Sequence, residues 1–287
     1  MDGILLIKKE KGMTSRDVVN IVCQVCKTKK VGHTGTLDPM AEGLLIVCVG
    51  KATKLVEVLT SSRKTYVASM KFGVKTDTMD ATGKILKEED VMVSEEAIKQ
   101  VLKELETTYE QEVPIYSAVK IHGKKLYEYA RNQEEVTLPK RIVTIYQLLF
   151  LDYQNNILTV QTEVSKGTYI RSLVEDIARK LNTIATMTAL TRTKIGAFSL
   201  EQASTVEEVR KGKFHCYSIY EILSKMYPVR RIHGVLLHKV ENGAKIDYEE
   251  PLEKIFFVNE VNEPIALYRK KGDQFVCDKM LKKERAV

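Results

Sequence analysis

Gly32-His33-Thr34-Gly35-Thr36-Leu37-Asp38-Pro39-Met40-Ala41-Glu42-Gly43 runs directly into Leu44 to Val49, the longest apolar run in a chain of 287 residues. Glycines at 32, 35 and 43 permit backbone shapes closed to other residues and allow a ligand to approach the chain closely. Pro39 fixes the backbone immediately after Asp38, so the carboxylate is presented from a stiff point. On composition alone the segment reads rather as a turn capped by an aspartate, with a surface histidine beside it. The apolar run after it reads as a strand.

Before this loop, Thr14 or Ser15 caps a helix to about Lys27, with Asp17 in the first turn where a carboxylate favours the helix dipole. Cys23 and Cys26 fall inside its apolar pattern, and no second pair follows at zinc spacing, so they read as helix positions rather than metal ligands. The five cysteines are too few and too scattered for a disulfide framework. Beyond the loop, Tyr66, Ala68, Met70 and Phe72 alternate with Val67, Ser69 and Lys71, the period of a strand with two unlike faces. Asp77 to Gly83 is a turn. Ser94 caps a helix carrying Ala97, Ile98, Val101, Leu102 and Leu105 on one stripe. A short helix is expected near Lys125 to Arg131, and Ile142 to Tyr153 and Ile157 to Val164 form a hairpin through Asn155-Asn156. Ile170, Leu173, Val174, Ile177, Ala178 and Leu181 mark a further amphipathic helix. This order predicts an α+β fold around a mixed, largely antiparallel sheet over residues 1–228. From residue 229 onward, short strand-like pieces at Val235 to Val240, Lys254 to Val258, Pro264 to Arg269 and Gln274 to Asp278 predict a small all-β unit that leans on the larger one.

Charge is distributed unevenly. Residues 1–75 hold 13 Lys and Arg against 6 Asp and Glu, which leaves 32 of each sign in the remainder, so the whole net charge of +7 lies in the first quarter. A concentrated positive field suits a polyanion. Lysine runs such as Lys27, Lys29 and Lys30 contribute to it, although such runs are more often a solvated helix end than a binding site. Six apolar residues in a row are far short of the roughly 20 needed to cross a bilayer. Lys8, Lys9 and Glu10 follow the first apolar residues too soon for a secretory signal, so the protein is expected to stay in the cytoplasm and away from membranes. Rossmann and Walker glycine patterns are absent from the sequence.

The loop quoted above resembles the motif bearing the catalytic aspartate of the pseudouridine synthases, in the form of the TruB family, which modifies the T-loop of transfer RNA. Four further strings resemble the family in the same order: Lys64-Thr65-Tyr66; Thr76 to Gly83; Val113 to Lys120 with Gly123 to Arg131; and Ser165-Lys166-Gly167-Thr168-Tyr169-Ile170-Arg171-Ser172-Leu173. The resemblance spans about Gly3 to Phe198, and residues 229–287 resemble a PUA module, an RNA-binding β-barrel.

The resemblance implies isomerisation of uridine 55 of transfer RNA to pseudouridine, by detaching uracil at N1 and rejoining it at C5, with no cofactor or metal. Asp38 is then the essential carboxylate and Arg171 the cation that keeps it ionised and oriented. A stacked uridine must leave its loop to be reached. His33 matches the residue filling the vacancy, Tyr66 the one packed on the flipped base, with a suggested part in moving the C5 proton, and Tyr169 and Leu190 the pocket walls. Lys64, Asp80, Tyr116, Lys120, Tyr127 and Arg131, with Lys29 and Lys30, are expected on the RNA surface. The implied partner is the T-arm, with the C-terminal unit reaching transfer RNA elsewhere; a monomer without an obligatory protein partner is the expectation. Two positions depart from the family: Glu42, where a small or hydroxylated residue is usual and which is expected to face solvent, and Leu45, where proline is common.

Overall fold

A computed structural model describes residues 1–282. Its large mixed sheet contains strands β1 (Gly3–Lys9), β2 (Glu42–Val49), β3 (Lys64–Phe72), β4 (Thr108–Glu112), β5 (Lys140–Gln154), β6 (Ile157–Val164) and β7 (Ala185–Ile195). They lie in the order β1-β2-β7-β3-β6-β5-β4. Ser204–Thr205 adds in parallel outside β1, Val31–His33 pairs β2, and Phe198–Ser199 pairs β7. Apart from the parallel β2·β7 contact, the long neighbours run antiparallel, as expected for an α+β sheet.

The continuous apolar runs of β1 and β2 are explained by burial on both faces. Ile4, Leu6, Leu44 and Ile46 point into one cluster, while Leu5, Ile7, Leu45 and Val47 point to the other side against Val18, Ile21 and Val22 of helix α1 (Ser15–Val25). The departure at Leu45 is therefore a core residue, fully buried. Strand β3 alternates instead: Lys64, Tyr66, Ala68, Met70 and Phe72 are buried and the residues between them are not. Against that face pack α2 (Glu95–Leu105), through Ile98, Val101, Leu102 and Leu105, and α3 (Ile170–Lys180), through Leu173, Val174 and Ile177. Both helices bury most of the stripes their sequences predict; Ala97, expected on the first, is exposed, and Leu181, expected on the second, is half-buried just past its end.

A second sheet of four strands, Val229–Arg231, Lys254–Val258, Pro264–Lys271 and Gln274–Met280, closes the described chain. One expectation fails here. Val235 to Val240 is not a strand but part of a helix, Gly234–Glu241, so the tail is a sheet with a helix rather than purely β. Leu236, Leu237 and Val240 share one helical face against the local core while Val235 is exposed; a strand would have put Leu236 and Leu237 on opposite faces. Phe256, Val258 and Leu267 of this sheet join Leu55, Val58, Leu59 and Ile222 in one cluster, so the tail shares a core with the larger unit. The expectation for residues 229–287 extends over 283–287, which lie outside the described residues. Among the described residues no helix is long and apolar enough to cross a membrane.

Candidate active site

The loop between Val31–His33 and β2 is held from both ends. Ser15, buried at the start of α1, accepts a hydrogen bond from the Leu37 amide at 2.9 Å and donates to the Leu37 carbonyl at 3.2 Å. The Gly12 amide donates to Pro39 O at 2.7 Å, and Ala41 N closes a turn on Asp38 O at 3.0 Å. Leu37, Met40 and Ala41 plug into the core, leaving the Asp38 side chain 35% exposed at the point of the turn. Gly43 has a φ of +108°, and a Cβ there would sit 2.3 Å from Arg192 O, so only glycine fits where β2 meets β7.

Arg171 reaches Asp38 from more than a hundred residues away. Its side chain is 5% exposed, its Nε forms an ion pair with Asp38 Oδ2 at 2.9 Å, and its two terminal nitrogens donate to Thr78 O at 3.1 Å and Tyr116 O at 3.0 Å. A cation in the first turn of α3 opposes the helix dipole. Three acceptors from three different segments offset that cost, and a charge-assisted pair at this burial is worth more than a surface one. Oδ1 of Asp38 is left without a protein donor among the described residues.

The pair forms the boundary between two cavities. The first, about 430 Å³, is walled by Tyr66, Tyr169, Ile170 and Leu190, with Asp38 and Arg171 on one side. Tyr66 and Leu190 face it because β3 and β7 are neighbours in register, with Leu190 opposite Ala68 and Arg192 opposite Tyr66. The second, about 480 Å³, gathers Asp80, Tyr116, Tyr127 and Arg131 around the far side of the same pair. Arg131 and Lys125 lie 5.4 and 5.3 Å from the centre of the Tyr127 ring, close enough for cation–π attraction. Asp80 is buried, and its Oδ1 accepts bonds from Thr78 Oγ1, Thr82 N and Thr82 Oγ1, which hold the turn at 77–83.

Several expected site residues lie elsewhere. His33 does not line either cavity: it pairs with Val47 at the sheet edge, half-buried, and burial together with the Arg192 charge pushes its pKa down. Lys64 is not on the surface but 7% exposed, inside the first cavity. Lys120 is exposed on a small hairpin outside both cavities, and Lys29 and Lys30 are exposed after α1. Glu42, expected to face solvent, is half-buried and accepts a hydrogen bond from Thr191 Oγ1 at 3.3 Å; it lines neither cavity.

Two buried cations were not singled out by the sequence reading. Arg192, 1% exposed, donates from Nε to Leu44 O at 2.7 Å and from a terminal nitrogen to Gly35 O at 3.1 Å, bracketing the Asp38 loop from both sides. Its signal was its place two residues after Leu190, on the same face of β7. Lys9 is fully buried, bonded to Glu10 O and Met13 O, with burial lowering its pKa to about 8. Nothing in Lys8-Lys9-Glu10 distinguishes it from a solvated strand end.

Residues 24–170 match the TruB family pseudouridylate synthase N-terminal domain, and residues 171–219 match the tRNA pseudouridylate synthase B C-terminal domain. The chain is 39% identical over 283 residues to tRNA pseudouridine synthase B of Caldicellulosiruptor saccharolyticus, covering 96% of each. It is 41% identical over 298 aligned positions to the protein of that name from Clostridium perfringens, covering 99% of this chain and 100% of the relative. To the one from Fusobacterium nucleatum it is 49% identical over 201 residues, 70% of each. Among solved structures, a Cbf5-Nop10-Gar1 complex contains a chain similar at a TM-score of 0.74 and 24% identity, over 98% of this chain and 85% of that one. An H/ACA ribonucleoprotein bound to a substrate RNA containing 2′-deoxyuridine matches at 0.71 and 22%, over 99% and 86%. At those identities the structural likeness is one of fold, whereas the family matches and full-length relatives carry more: the chain belongs to the TruB family of pseudouridylate synthases.

Proposed function

We propose that the protein converts uridine 55 in the T-loop of transfer RNA to pseudouridine, as a single chain and without a cofactor. The observation that carries this reading is the Asp38–Arg171 pair set at the edge of a cavity with aromatic and aliphatic walls. The uridine leaves its stack and enters the first cavity, where Tyr66, Tyr169 and Leu190 replace the stacking it has lost. His33, at the edge of the sheet and held towards its neutral form, fills the space the base vacates in the RNA. Attack on the sugar, attack on the base and elimination at the sugar all require an ionised Asp38. Arg171 pairs with Oδ2 alone, so Oδ1 stays available. Tyr66 stacks on the base and is placed to assist loss of the C5 proton. The cluster of Asp80, Tyr116, Tyr127 and Arg131 receives the adjoining RNA, and the C-terminal sheet, as a PUA-like accessory over 229–287, contacts transfer RNA outside the T-loop.

The test is tritium release from C5-labelled uridine in transfer RNA transcripts. Release is expected from the natural transcript and from an isolated T-arm hairpin, and none from a transcript with cytidine at position 55. Tight binding with no release would make the protein a binder; release only when a guide RNA is added would place its substrate elsewhere.

The exposed pair Lys29 and Lys30 gives a separate prediction. Changing both to Glu is expected to weaken transcript binding by about tenfold or more at low salt and to reduce the slope of log affinity against log salt by about 2. The fold should be untouched, since neither side chain is buried or bonded. Equal affinity of the variant and native proteins across the salt series would remove these lysines from the RNA surface.

A further inference from the structure

Four cations, Lys64, Arg141, Arg171 and Arg192, line the first cavity against one carboxylate, Asp38. Arg171 is committed to Asp38, Thr78 and Tyr116, Arg192 to the carbonyls of Leu44 and Gly35, and Arg141 is exposed at the rim. Lys64 differs from all three. It is buried two residues before Tyr66 on the same face of β3, and its ammonium donates only to Thr60 O at 2.5 Å and Ser62 O at 2.7 Å. An ammonium has three N–H donors, so one remains. Among the described residues no carboxylate lies within ion-pair distance of it. Capping the end of the short helix Val56–Thr60 would account for the two carbonyl bonds. It would not account for a buried lysine lining a cavity that already holds three other cations, since a capping lysine ordinarily keeps its head in water.

We propose that Lys64 is a catalytic residue of this cavity: its free N–H donates to a carbonyl oxygen of the bound uracil and stabilises the negative charge on the ring while the base is detached. The inference rests on the pseudouridine-forming reading of the site. When the C1′–N1 bond breaks, its electron pair stays with the base and spreads onto the ring carbonyls. After the ring turns, C5 supplies the pair that joins it to C1′, the C5 proton departs and N1 takes one up. Lys64 keeps its own proton throughout, and nothing is oxidised or reduced. A fixed donor is most effective when aimed where charge develops.

The groups that face Lys64 are Arg192 from β7 and Lys166 from the turn before α3, both cationic, with Asp38, Arg171, Arg141 and the hydroxyls of Tyr66 and Tyr169 around the same cavity. Burial, reinforced by Arg192 and Lys166, lowers the Lys64 pKa to about 8. The charged, donating form therefore prevails below about that pH and is lost above it.

Single-turnover tritium release from C5-labelled transcripts, followed from about pH 6.5 to about pH 9.5 with transcript affinity measured alongside, tests the proposal. For the native protein the rate is expected to fall on the alkaline side with a midpoint near 8. Lys64→Met should slow release by about a hundredfold, with affinity changed less than about threefold, and should lack that alkaline limb. Lys64→Arg, whose charge does not titrate in this range, should recover much of the rate and move the limb upward. Should Lys64→Met fail to fold, the native and Lys64→Arg profiles decide alone. An unchanged limb in Lys64→Arg, a native rate in Lys64→Met, or a loss of rate matched by loss of affinity and of salt dependence would overturn the proposal, the last by making Lys64 a backbone-phosphate contact. No release by the native protein from any transcript would instead overturn the functional reading beneath it.

Discussion

Asp38→Asn is expected to abolish tritium release, by about 10⁴-fold or more, while leaving the melting temperature and the transcript affinity close to native. The substitution preserves shape. A carboxamide oxygen still sets a partial negative charge beside Arg171, the guanidinium keeps its bonds to Thr78 O and Tyr116 O, and the loop stays pinned at Leu37 and Pro39. What is lost is the ability of Oδ1 to act as an anion, which every route to the isomerisation needs. RNA affinity has a predictable sign. Removing the one carboxylate among four cavity cations makes the cavity more attractive to a polyanion, so binding should be equal or slightly tighter, never weaker. Binding and rate thus move apart, which a damaged fold cannot imitate. Release at a native rate from Asp38→Asn would show that the carboxylate is not the reactive group.

How much of this arrangement could be read in advance depended on whether local pattern and tertiary context agreed. Helices α2 and α3 were legible because each repeats its apolar residues at helical spacing. Strand β3 was legible because its two faces differ. Strand β7, at the centre of the sheet, was not. Register shifts between Met187 and Ala189 and between Arg192 and Lys194 break its alternation, and its buried face carries an arginine. Edge strand β4, Thr-Tyr-Glu-Gln-Glu, has no apolar rhythm at all; its buried Gln111 accepts the Tyr169 amide at 2.8 Å, a polar anchor with no hydrophobic signature. The helix at Gly234–Glu241 was misread because a short apolar run does not distinguish helix from strand. Within the site, Asp38, Tyr66, Tyr169, Arg171 and Leu190 were brought together as their motifs implied. Lys64 was misplaced for a simple reason: lysine is ordinarily a surface residue, and only the fold reveals one buried without a counterion.

Arg171 should be as hard to replace as Asp38, for reasons that separate structure from chemistry. In Arg171→Met, the Asp38 carboxylate loses its ion-pair partner and the carbonyls of Thr78 and Tyr116 lose their donors. Asp38 is about a third exposed and can take water instead, and Thr78 and Tyr116 are half-buried at the second cavity, so a stability loss of about 2 kcal/mol is expected rather than the full cost of a stranded buried charge. Arg171→Lys retains the charge, but a point-like ammonium cannot span acceptors on three segments, and release should still fall by about a hundredfold. The decisive measurement is the cycle with Asp38→Asn. If Arg171 works by holding Asp38 ionised and aimed, then once Asp38 has gone its removal has little left to cost in rate, and the double variant should release tritium no more slowly than Asp38→Asn alone. Stability should behave differently, with most of the Arg171→Met loss persisting in the double variant, because the carbonyls of Thr78 and Tyr116 remain stranded whatever occupies position 38. Losses in rate that simply multiplied would mean that Arg171 touches the substrate directly and acts independently of the carboxylate beside it.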